Sequence, residues 1–545
     1  MFCYFFGMID YMSKTNKFRG YMRQFLLFLM FILSQNASHA AKIDEAIDKI
    51  FAPVSDILSG IVFYPVDIFG AKIPITILWI LLGGFFFTVF FRFIPIWGFK
   101  HSLNLIVNSK NNKDSNSDGG SGEVSSFQAL ATALSGTLGL GSIAGVAVAI
   151  SIGGPGATFW ILVGAILGMS LKFAESSLAV KHRRFNEDGT ISGGPMHYIV
   201  FGLTKKRKRK LGQFLAIIFA VFLLLGSLGG GNMFQSNQAC QQIIHITGDV
   251  NSIFANHVWI CGLAIALFVG LTVIGGIKSI AKVTEKIVPF MCLLYILLGG
   301  AVICAYFTHI PEVILQIIKE AFVPDAIYGG VAGTIIIGLR RSVQSNEAGT
   351  GSAPIAYATV KTKEPISQGM VSLLEPFISG CMCTLTALVI ILTGSYRNYT
   401  QGISGIEITS SAFSSVIPHA DYVLSVVIIL FAVSTIISWA YYGQKGWTYL
   451  FGEGRKRILT YQFIFCSFII IGSSMNLRSI VDFTDAGMLA MSVPNLIAIY
   501  FLLPELKEDL KEYCKKHNLN NKLINNWFKL GQTSKENSNE EKVNV

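Results

Sequence analysis

The sequence predicts an all-α membrane protein that crosses the bilayer many times. Of its 545 residues, 52% are hydrophobic and only 14% are charged, whereas a soluble domain carries about 25% charged residues. Apolar runs of about 20 residues, the length that crosses a ~30 Å hydrocarbon layer, recur along the chain. The net charge of +11 does not indicate nucleic-acid binding, because the basic residues lie in short loops between these runs.

The N-terminal residues have the features of a secretory targeting segment. Basic residues precede a short apolar run at 25–33, and the small-x-small pattern of a cleavage site follows at 38–40. We therefore predict a signal peptide at 1–40, with an uncleaved anchor or a later start codon as the alternatives. Residues 41–72 are polar enough to form an extracytoplasmic segment.

Eleven apolar segments are candidates for membrane spans. The first is an extra N-terminal helix at 73–94, followed by a polar cytoplasmic linker at 108–122. The other ten lie near residues 126–150, 156–180, 211–245, 257–276, 281–306, 326–345, 366–394, 420–442, 457–473 and 479–503. We group these ten as a first repeat of five helices at 123–310 and a second at 311–503. A polar cytoplasmic tail at 504–545 completes the chain.

The distribution of Lys and Arg predicts the orientation, because cytoplasmic loops are enriched in both. We predict a protein of the bacterial inner membrane with a periplasmic N-terminus. The odd number of spans then places the C-terminus in the cytoplasm. The basic residues that then fall inside include Lys181, Arg183, Arg184, 205–210, Lys278, Lys282, Arg340, Arg341, Lys361, Lys363, Lys445 and 455–457. The run at 205–210 is suited to contact with anionic membrane lipid.

A glycine-rich run interrupts the second of these segments. Gly136, Gly139, Gly141 and Gly145 fall within ten residues, and each costs a helix about 1 kcal/mol relative to alanine. Unwound backbone survives at membrane depth only where protein, water or a solute supplies hydrogen-bond partners. The run therefore predicts a binding site, although Gly141 and Gly145 also have the spacing of a helix-packing contact.

A second glycine-rich run lies five spans later, at 329–338. Corresponding interruptions in two halves of opposite orientation are typical of inverted-repeat transporters, whose binding site lies between the two broken helices. The chain contains neither an HExxH motif nor a GxxxxGK[ST] loop. We therefore predict a transporter without a cofactor and not an enzyme.

Motifs spread over residues 127–500 resemble the alanine or glycine:cation symporter family. They are GSIAGV (141–146), GGPGATFW (153–160), KFAE (172–175), GGPM (193–196), NEAGTGSAP (346–354), STIISW (434–439), YYG (441–443) and PNLIA (494–498). The resemblance implies a LeuT-type core of five plus five inverted helices, preceded by one extra helix. It also implies import of alanine or glycine with Na⁺.

The resemblance further implies the residues of both binding sites. Backbone N–H groups at the first break would bind the substrate carboxylate, and Trp439 would limit the size of the side chain. The substrate-binding residues are Thr137, Gly139, Leu140, Gly141, Ser142, Gln235, Gly333, Thr334, Thr435, Ile436 and Trp439. The residues that bind Na⁺ are Ser135, Leu138, Phe431, Ser434 and Thr435.

One position departs from the family pattern. The family usually has GTGN where this chain has Gly139-Leu140-Gly141-Ser142, so that Ser142 replaces an asparagine amide. This leaves a proton-coupled carrier of the same fold as an alternative, which Na⁺-independent, pH-driven uptake would identify. The alternative from another class is a solute sensor that does not transport, which tracer flux without a signalling partner would eliminate.

Overall fold

The computed structural model describes most of the predicted spans. It covers residues 53, 55–68, 71–111, 122–187, 189–255, 257–322, 330–398 and 405–519. The predicted signal peptide at 1–40, most of the linker at 108–122 and the end of the tail beyond residue 519 lie outside the described residues.

The extra N-terminal helix follows a small hairpin. Residues 55–62 are helical, and β1 (Pro65–Ile68) pairs antiparallel with β2 (Ala71–Pro74). Helix α1 (Ile75–Phe90) begins directly after this hairpin, where Thr76 Oγ1 donates to the carbonyl oxygen of Val62 at 2.9 Å. This contact ties the start of α1 to the residues before the hairpin.

Helices make up nearly all of the rest of the described chain. They are α2 (Ile94–Trp97), α3 (Phe99–Asn111), α4 (Ser126–Thr137), α5 (Ala144–Gly153), α6 (Ala157–Lys181), α7 (Pro195–Lys205), α8 (Arg209–Leu228), α9 (Phe234–Ile246), α10 (Val258–Val273), α11 (Gly276–Ala305), α12 (Ile310–Phe322), α13 (Gly330–Asn346), α14 (Pro354–Tyr357), α15 (Pro365–Ser372), α16 (Leu374–Thr393), α17 (Ile406–Ser414), α18 (Ala420–Phe451), α19 (Arg455–Ser474) and α20 (Leu477–Lys516). A short antiparallel hairpin separates α6 from α7. Its strands, β3 (Arg184–Phe185) and β4 (Ile191–Ser192), have two residues each.

Among the described residues, seven helical stretches are long and apolar enough to cross a membrane. They are α6, α8 with α9, α11, α15 with α16, α18, α19 and α20. The bent pair of α4 and α5 makes an eighth, and α1 and α10 are apolar but only 16 residues long. Together with α13, these helices occupy the predicted segments in the predicted order, so the chain is a multi-pass membrane protein. The total of eleven crossings stays a prediction.

The predicted break in the first glycine-rich run is confirmed. Helix α4 ends at Thr137 and α5 begins at Ala144, with one 3₁₀ turn (Leu140–Ser142) between them. The two helices are bent by 58° at this point. Extended backbone at Gly139, with φ −82° and ψ −165°, separates them.

The predicted break in the second glycine-rich run was wrong. Helix α13 runs unbroken from Gly330 to Asn346. Within it Gly338 serves close packing, since a Cβ at this position would lie 2.7 Å from the carbonyl oxygen of Ala157. The chain leaves the helix afterwards, at 347–353. There Glu347, Gly349 and Gly351 have φ of 52°, 86° and 83°, values that no right-handed helix contains.

The last helix also differs from the sequence boundary. Helix α20 continues through Pro504 to Lys516, so the first part of the predicted tail is helical. Lys516 Nζ and His517 Nε2 lie against the carboxylate of Glu364, the latter at 2.9 Å. Partial burial raises the pKa of Glu364, but the hydrogen bonds from these two residues outweigh it and lower the pKa below its usual range.

The first break lies at the centre of the helix packing, and the non-helical segment at 347–353 is called here the second break. Helix α4 packs against α11 and α18, and α13 packs against α5 and α6. The first break also contacts α9, α13 and α18. This arrangement surrounds the first break with helices from both predicted repeats.

Candidate functional site

The first break is held by a glutamine from α9. The backbone N–H of Leu140 donates to Gln235 Oε1 at 2.8 Å, and Gln235 Nε2 donates to the carbonyl oxygen of Gly230 at 2.9 Å. Gly230 belongs to a π-helical turn (Gly229–Met233) between α8 and α9. The backbone N–H at the break is therefore accessible to a side-chain acceptor.

Glycine is required at position 139 because three segments meet there. A Cβ at this position would lie 2.6 Å from Thr435 Oγ1 and 2.8 Å from Gln235 Oε1. Any larger residue would push these polar groups away from the break. The structure thus brings Gly139, Leu140, Gln235 and Thr435 together, as the sequence predicts.

Reciprocal hydrogen bonds join the end of α4 to the middle of α18. Thr435 Oγ1 donates to the carbonyl oxygen of Ser135 at 2.7 Å, and Ser135 Oγ donates to the carbonyl oxygen of Ser434 at 2.7 Å. Ser434 Oγ donates in turn to the carbonyl oxygen of Phe431 at 3.0 Å. The predicted Na⁺-binding residues are all at most 1% exposed, and four of them form one cluster of oxygen atoms. The fifth, Leu138, is the C-cap residue of α4.

Ser438 belongs to the same cluster, although it was not among the predicted ligands. Its Oγ donates to the carbonyl oxygen of Thr132 and approaches Ser135 Oγ, both at 3.1 Å. The sequence contained a usable signal, because residue 438 lies one helical turn after Ser434 and therefore on the same face of α18.

Trp439 lies between two distant parts of the chain. A Cβ on Gly231 would lie 2.2 Å from Trp439 Cγ, so the ring covers the π-helical turn. Its Nε1 donates to Glu347 Oε1 at 2.9 Å, which connects α18 to the second break. Ile436 is fully buried on the same helix.

The predicted contributors from the second glycine-rich run are not part of this arrangement. Thr334 Oγ1 donates to the carbonyl oxygen of Gly153 at 3.2 Å, so Thr334 and its neighbour Gly333 lie beside the end of α5. Thr137 Oγ1 donates to the carbonyl oxygen of Ala133 within its own helix, at 3.2 Å. The contact of Thr334 follows from α13 being continuous where a break was predicted, whereas Thr137 bonds only to its own helix α4.

The end of α13 takes the place of these residues next to the first break. A Cβ on Gly141 would lie 3.2 Å from the carbonyl oxygen of Gln344, and Ser142 Oγ lies 3.3 Å from Ser345 Oγ. Sequence reasoning missed Gln344 and Ser345. The available signal was their position directly before the motif at 346–354, where the chain unwinds.

Two groups of charged residues lie near the breaks. The first, called here the arginine cluster, consists of Arg340, Arg341, Asp482 and Asp485. Arg340 Nη2 lies 2.9 Å from Asp485 Oδ2 and 3.6 Å from Asp482 Oδ1, and Arg341 pairs with the same oxygen of Asp485. Arg341 also donates to the side chain of Gln344, which connects this cluster to the first break.

The position of Arg340 brings two parts of the predicted orientation into conflict. Its guanidinium lies 4.2 Å from the ring centroid of Phe63, a residue of the segment predicted to be extracytoplasmic. Arg340 and Arg341 were predicted to lie on the cytoplasmic side, and the two predictions cannot both hold. The arginines are helical and paired with aspartates, so the rule for loop charges does not apply to them.

The second group, called here the glutamate cluster, consists of Lys172, Glu175, Glu347 and Glu375. Lys172 Nζ lies 3.1 Å from Glu375 Oε1 and donates to the backbone carbonyl oxygen of Glu347 at 3.2 Å. All four residues are at most 1% exposed. The cluster joins α6, the second break and the first turn of α16.

The two clusters are well separated along α20. Asp485 belongs to the arginine cluster, and Asn495 donates to Glu175 Oε1 of the glutamate cluster at 2.5 Å. Ten residues of helix between them correspond to about 15 Å. The arginine cluster contacts Gln344 beside the first break, and the glutamate cluster contacts Trp439 of α18 through Glu347.

The chain matches the model of the sodium:alanine symporter family over residues 55–526. It is 36% identical to the sodium/alanine symporter AgcS of Methanococcus maripaludis over 439 residues, which cover 80% of this chain and 93% of that protein. It is 34% identical to YrbD of Bacillus subtilis, a putative sodium/proton-dependent alanine carrier, over 80% of this chain and 89% of that protein.

A further relative is named for a different substrate. GlnT of Bacillus subtilis, a probable sodium/glutamine symporter, is 32% identical over 466 residues, which cover 85% of this chain and 92% of that protein. The family model and these relatives extend over nearly all of the described helices and both breaks. The chain therefore belongs to the sodium:alanine symporter family, whose members are membrane carriers and not enzymes.

Proposed function

We propose that this protein is a Na⁺-coupled symporter that imports alanine or glycine across the inner membrane by alternating access. The observation that carries this proposal is the meeting of Gly139, Gln235 and Thr435 at the first break. Unwound backbone, an amide and a hydroxyl converge there inside a membrane protein. Such a point offers partners to both an ion and a small zwitterion.

The cation site is proposed at the reciprocal hydrogen bonds of α4 and α18. Hard cations prefer oxygen ligands, and this cluster contains hydroxyl and carbonyl oxygens from Ser135, Phe431, Ser434 and Thr435. A hydroxyl that donates to a carbonyl in the absence of an ion can turn its oxygen toward a bound cation. The same cluster would then bind Na⁺ without displacing an apolar side chain.

The substrate carboxylate is proposed to bind at the backbone N–H groups of Leu140 and Gly141. These groups precede α5, whose N-terminus favours an anion. Gln235 Oε1 accepts the Leu140 N–H, so a carboxylate has to move this amide as it binds. Movement of Gln235 would also release its bond to Gly230, which connects binding to a change in the π-helical turn.

The structure supports a small substrate side chain. The Trp439 ring covers Gly231, and its Nε1 is fixed by Glu347. A ring held at both ends limits the space above the break. We therefore favour alanine or glycine over the glutamine named for one relative.

The proposed architecture is a LeuT-type arrangement of five plus five inverted helices, with α1 as the extra helix. With a periplasmic N-terminus and a cytoplasmic C-terminus, the arginine cluster lies in the extracytoplasmic half and the glutamate cluster in the cytoplasmic half. Alternating access then opens one cluster while the other stays closed. At about 100 mV, one positive charge that enters with the substrate adds ~2.3 kcal/mol, or about fifty-fold accumulation.

The cation assignment is tested by Thr435→Val, with Thr435→Ser as the matched control. Valine keeps the shape of threonine and removes the hydroxyl, whereas serine keeps the hydroxyl. In proteoliposomes, uptake of labelled alanine driven by a Na⁺ gradient should be lost in Thr435→Val and largely retained in Thr435→Ser. Normal Na⁺-driven uptake by Thr435→Val would reject the proposed cation site.

The substrate assignment is tested by Trp439→Ala. Removal of the ring should admit larger side chains, so uptake of labelled glutamine should rise relative to alanine. Thr435→Ser again serves as a control with the ring intact. An unchanged ratio of glutamine to alanine uptake would contradict the size limit attributed to Trp439.

A further inference from the structure

The glutamate cluster is unbalanced in charge. Among the described residues, it combines three carboxylates with one ammonium group, and all four side chains are at most 1% exposed. Lys172 balances one carboxylate through its ion pair with Glu375. Two formal negative charges then remain inside the protein, where an uncompensated charge costs several kcal/mol.

The three carboxylates differ in their hydrogen-bond partners. Glu347 Oε1 accepts from Trp439 and Oε2 accepts from Ser352. Glu375 Oε2 accepts from Tyr357 at 2.7 Å, and its Oε1 lies 3.1 Å from Lys172 Nζ. Both carboxylates therefore have a donor or a cation at each oxygen.

Glu175 is different. Its Oε1 accepts from Asn495 at 2.5 Å, and the backbone of Gly349 also favours the charged form of this carboxyl group. Its buried Oε2 has no hydrogen bond within standard geometry among the described residues. Tyr198 donates to Asn495 Oδ1 and not to Glu175. Other charged groups near Glu175 are Lys172, already paired, and the carboxylate of Glu375.

The arginine cluster shows that a carboxylate can have one oxygen without a hydrogen bond and still have its charge compensated. Asp485 Oδ1 also has no hydrogen-bond partner within the described part of the chain. Its charge, however, is matched by two guanidinium groups at Oδ2. Glu175 combines a free oxygen with the lack of a cation of its own.

We propose that Glu175 is a proton-binding site that controls the closing of the glutamate cluster. While the cluster is closed, Oε2 carries a proton and Glu175 is neutral. When the second break moves and water enters, the O–H bond breaks, the proton goes to water and Glu175 becomes a carboxylate. Closing reverses this step, so the proton exchanges with one compartment and is not carried across.

This site rests on the proposed function, because alternating access supplies the open and closed states. Its connection to transport is direct: Asn495, which binds Glu175, also donates to the carbonyl oxygen of Gly349 at 2.8 Å. Gly349 belongs to the second break. Movement of that break therefore acts on the contacts that surround Glu175.

The experiment counts protons as the purified full-length protein binds its substrate. A pH indicator in weakly buffered detergent solution reports proton uptake when Na⁺ and labelled alanine are added, and bound alanine is counted in parallel over a series of pH values. We expect the wild type to take up at most about one proton per bound alanine, since one group titrates. Glu175→Gln, which mimics the neutral form, should bind alanine without proton uptake.

A second variant covers the case in which Glu175→Gln does not fold. Glu375→Gln leaves Lys172 available to neutralise Glu175, so the midpoint of proton uptake should move down by about one pH unit or more. Glu364→Gln, outside the cluster, should leave the midpoint unchanged. A midpoint that does not move in Glu375→Gln would overturn the proposal.

Other outcomes are equally decisive. Alanine binding by the wild type without proton uptake, or unchanged uptake in Glu175→Gln, overturns the proton site. If Glu175→Gln binds one ²²Na⁺ fewer than the wild type and proton uptake does not change, Glu175 binds a metal ion and not a proton. That result also overturns the proposal. Failure of alanine to bind contradicts the proposed substrate, so the two proposals fail by different measurements.

Discussion

The arginine cluster and the glutamate cluster contain four charged residues each, but they differ in balance and in access to solvent. The arginine cluster pairs two guanidinium groups with two carboxylates, and Asp482 is 44% exposed. The glutamate cluster has one ammonium group for three carboxylates, all at most 1% exposed. The first can open into water with its charges matched, whereas the second needs a further positive charge to stay closed.

This difference follows from where each cluster lies in the chain. The arginine cluster forms between the last turns of α13 and the first turns of α20, next to Phe63 and the partly exposed Asp482. The glutamate cluster forms where α6, α16, α20 and the second break meet in the interior. Burial therefore makes the same kinds of side chain much more sensitive to the loss of one charge.

The largest expected effect comes from Lys172→Met. This change keeps the aliphatic part of the side chain and removes the cation from the glutamate cluster, which should cost about 3–5 kcal/mol of stability. Lys181→Met is the matched control on the same helix, because Lys181 is 24% exposed and pairs with Glu505 and Asp509. Its cost should stay below about 1 kcal/mol. Thermal unfolding in detergent measures both, and equal shifts in Tm would show that burial does not distinguish the two lysines.

An intermediate effect is expected for Asp485→Asn. The change removes the carboxylate that Arg340 and Arg341 share, so Arg341 stays buried without its charged partner. We expect the free energy of unfolding to fall by about 2 kcal/mol or more. Asp482→Asn, in the same cluster but 44% exposed, should cost less than about 1 kcal/mol. Unfolding temperatures and Na⁺-driven uptake are measured for both variants. If Asp482→Asn is the more damaging, the exposed aspartate and not the buried one holds the cluster together.

The smallest effect is expected at a solvent-exposed ionic contact, which serves as a reference for both clusters. Glu364→Gln removes the carboxylate that Lys516, 68% exposed, and His517 contact, at a cost below about 1 kcal/mol. Because the pKa of Glu364 is lowered in the folded protein, its contribution is present above the usual carboxyl pKa and is lost as the pH falls through the folded value. The difference in Tm between wild type and variant should therefore shrink as the solution is acidified; a difference that grows would contradict this sign.

The two glycine-rich runs show how far the sequence could predict the breaks. Both contain several glycines within ten residues, and glycine content alone predicted a break in each. At Gly139 the glycine admits polar groups from α9 and α18, whereas at Gly338 it admits the backbone of α6. Sequence records only that a side chain is absent, so it could not distinguish a site lined by polar side chains from a close contact between helix backbones.

The site residues divide in the same way. Ser135, Ser434, Thr435 and Gln235 were implied by the resemblance to the symporter family, and the structure brings them together around the break. Gln344 and Ser345 were not predicted as parts of the site. Their role depends on where α13 ends, which positive φ at Glu347 decides.

The sequence by itself determined the class of the protein, the order of its helices and the first break, because hydropathy, charge and helix propensity are local properties. Only the tertiary structure decided which charges meet. Lys172 and Glu375 are far apart in the sequence, yet they form one ion pair. The net charge of a buried cluster depends on the residues that every helix contributes to it, so no single stretch of sequence determines that charge.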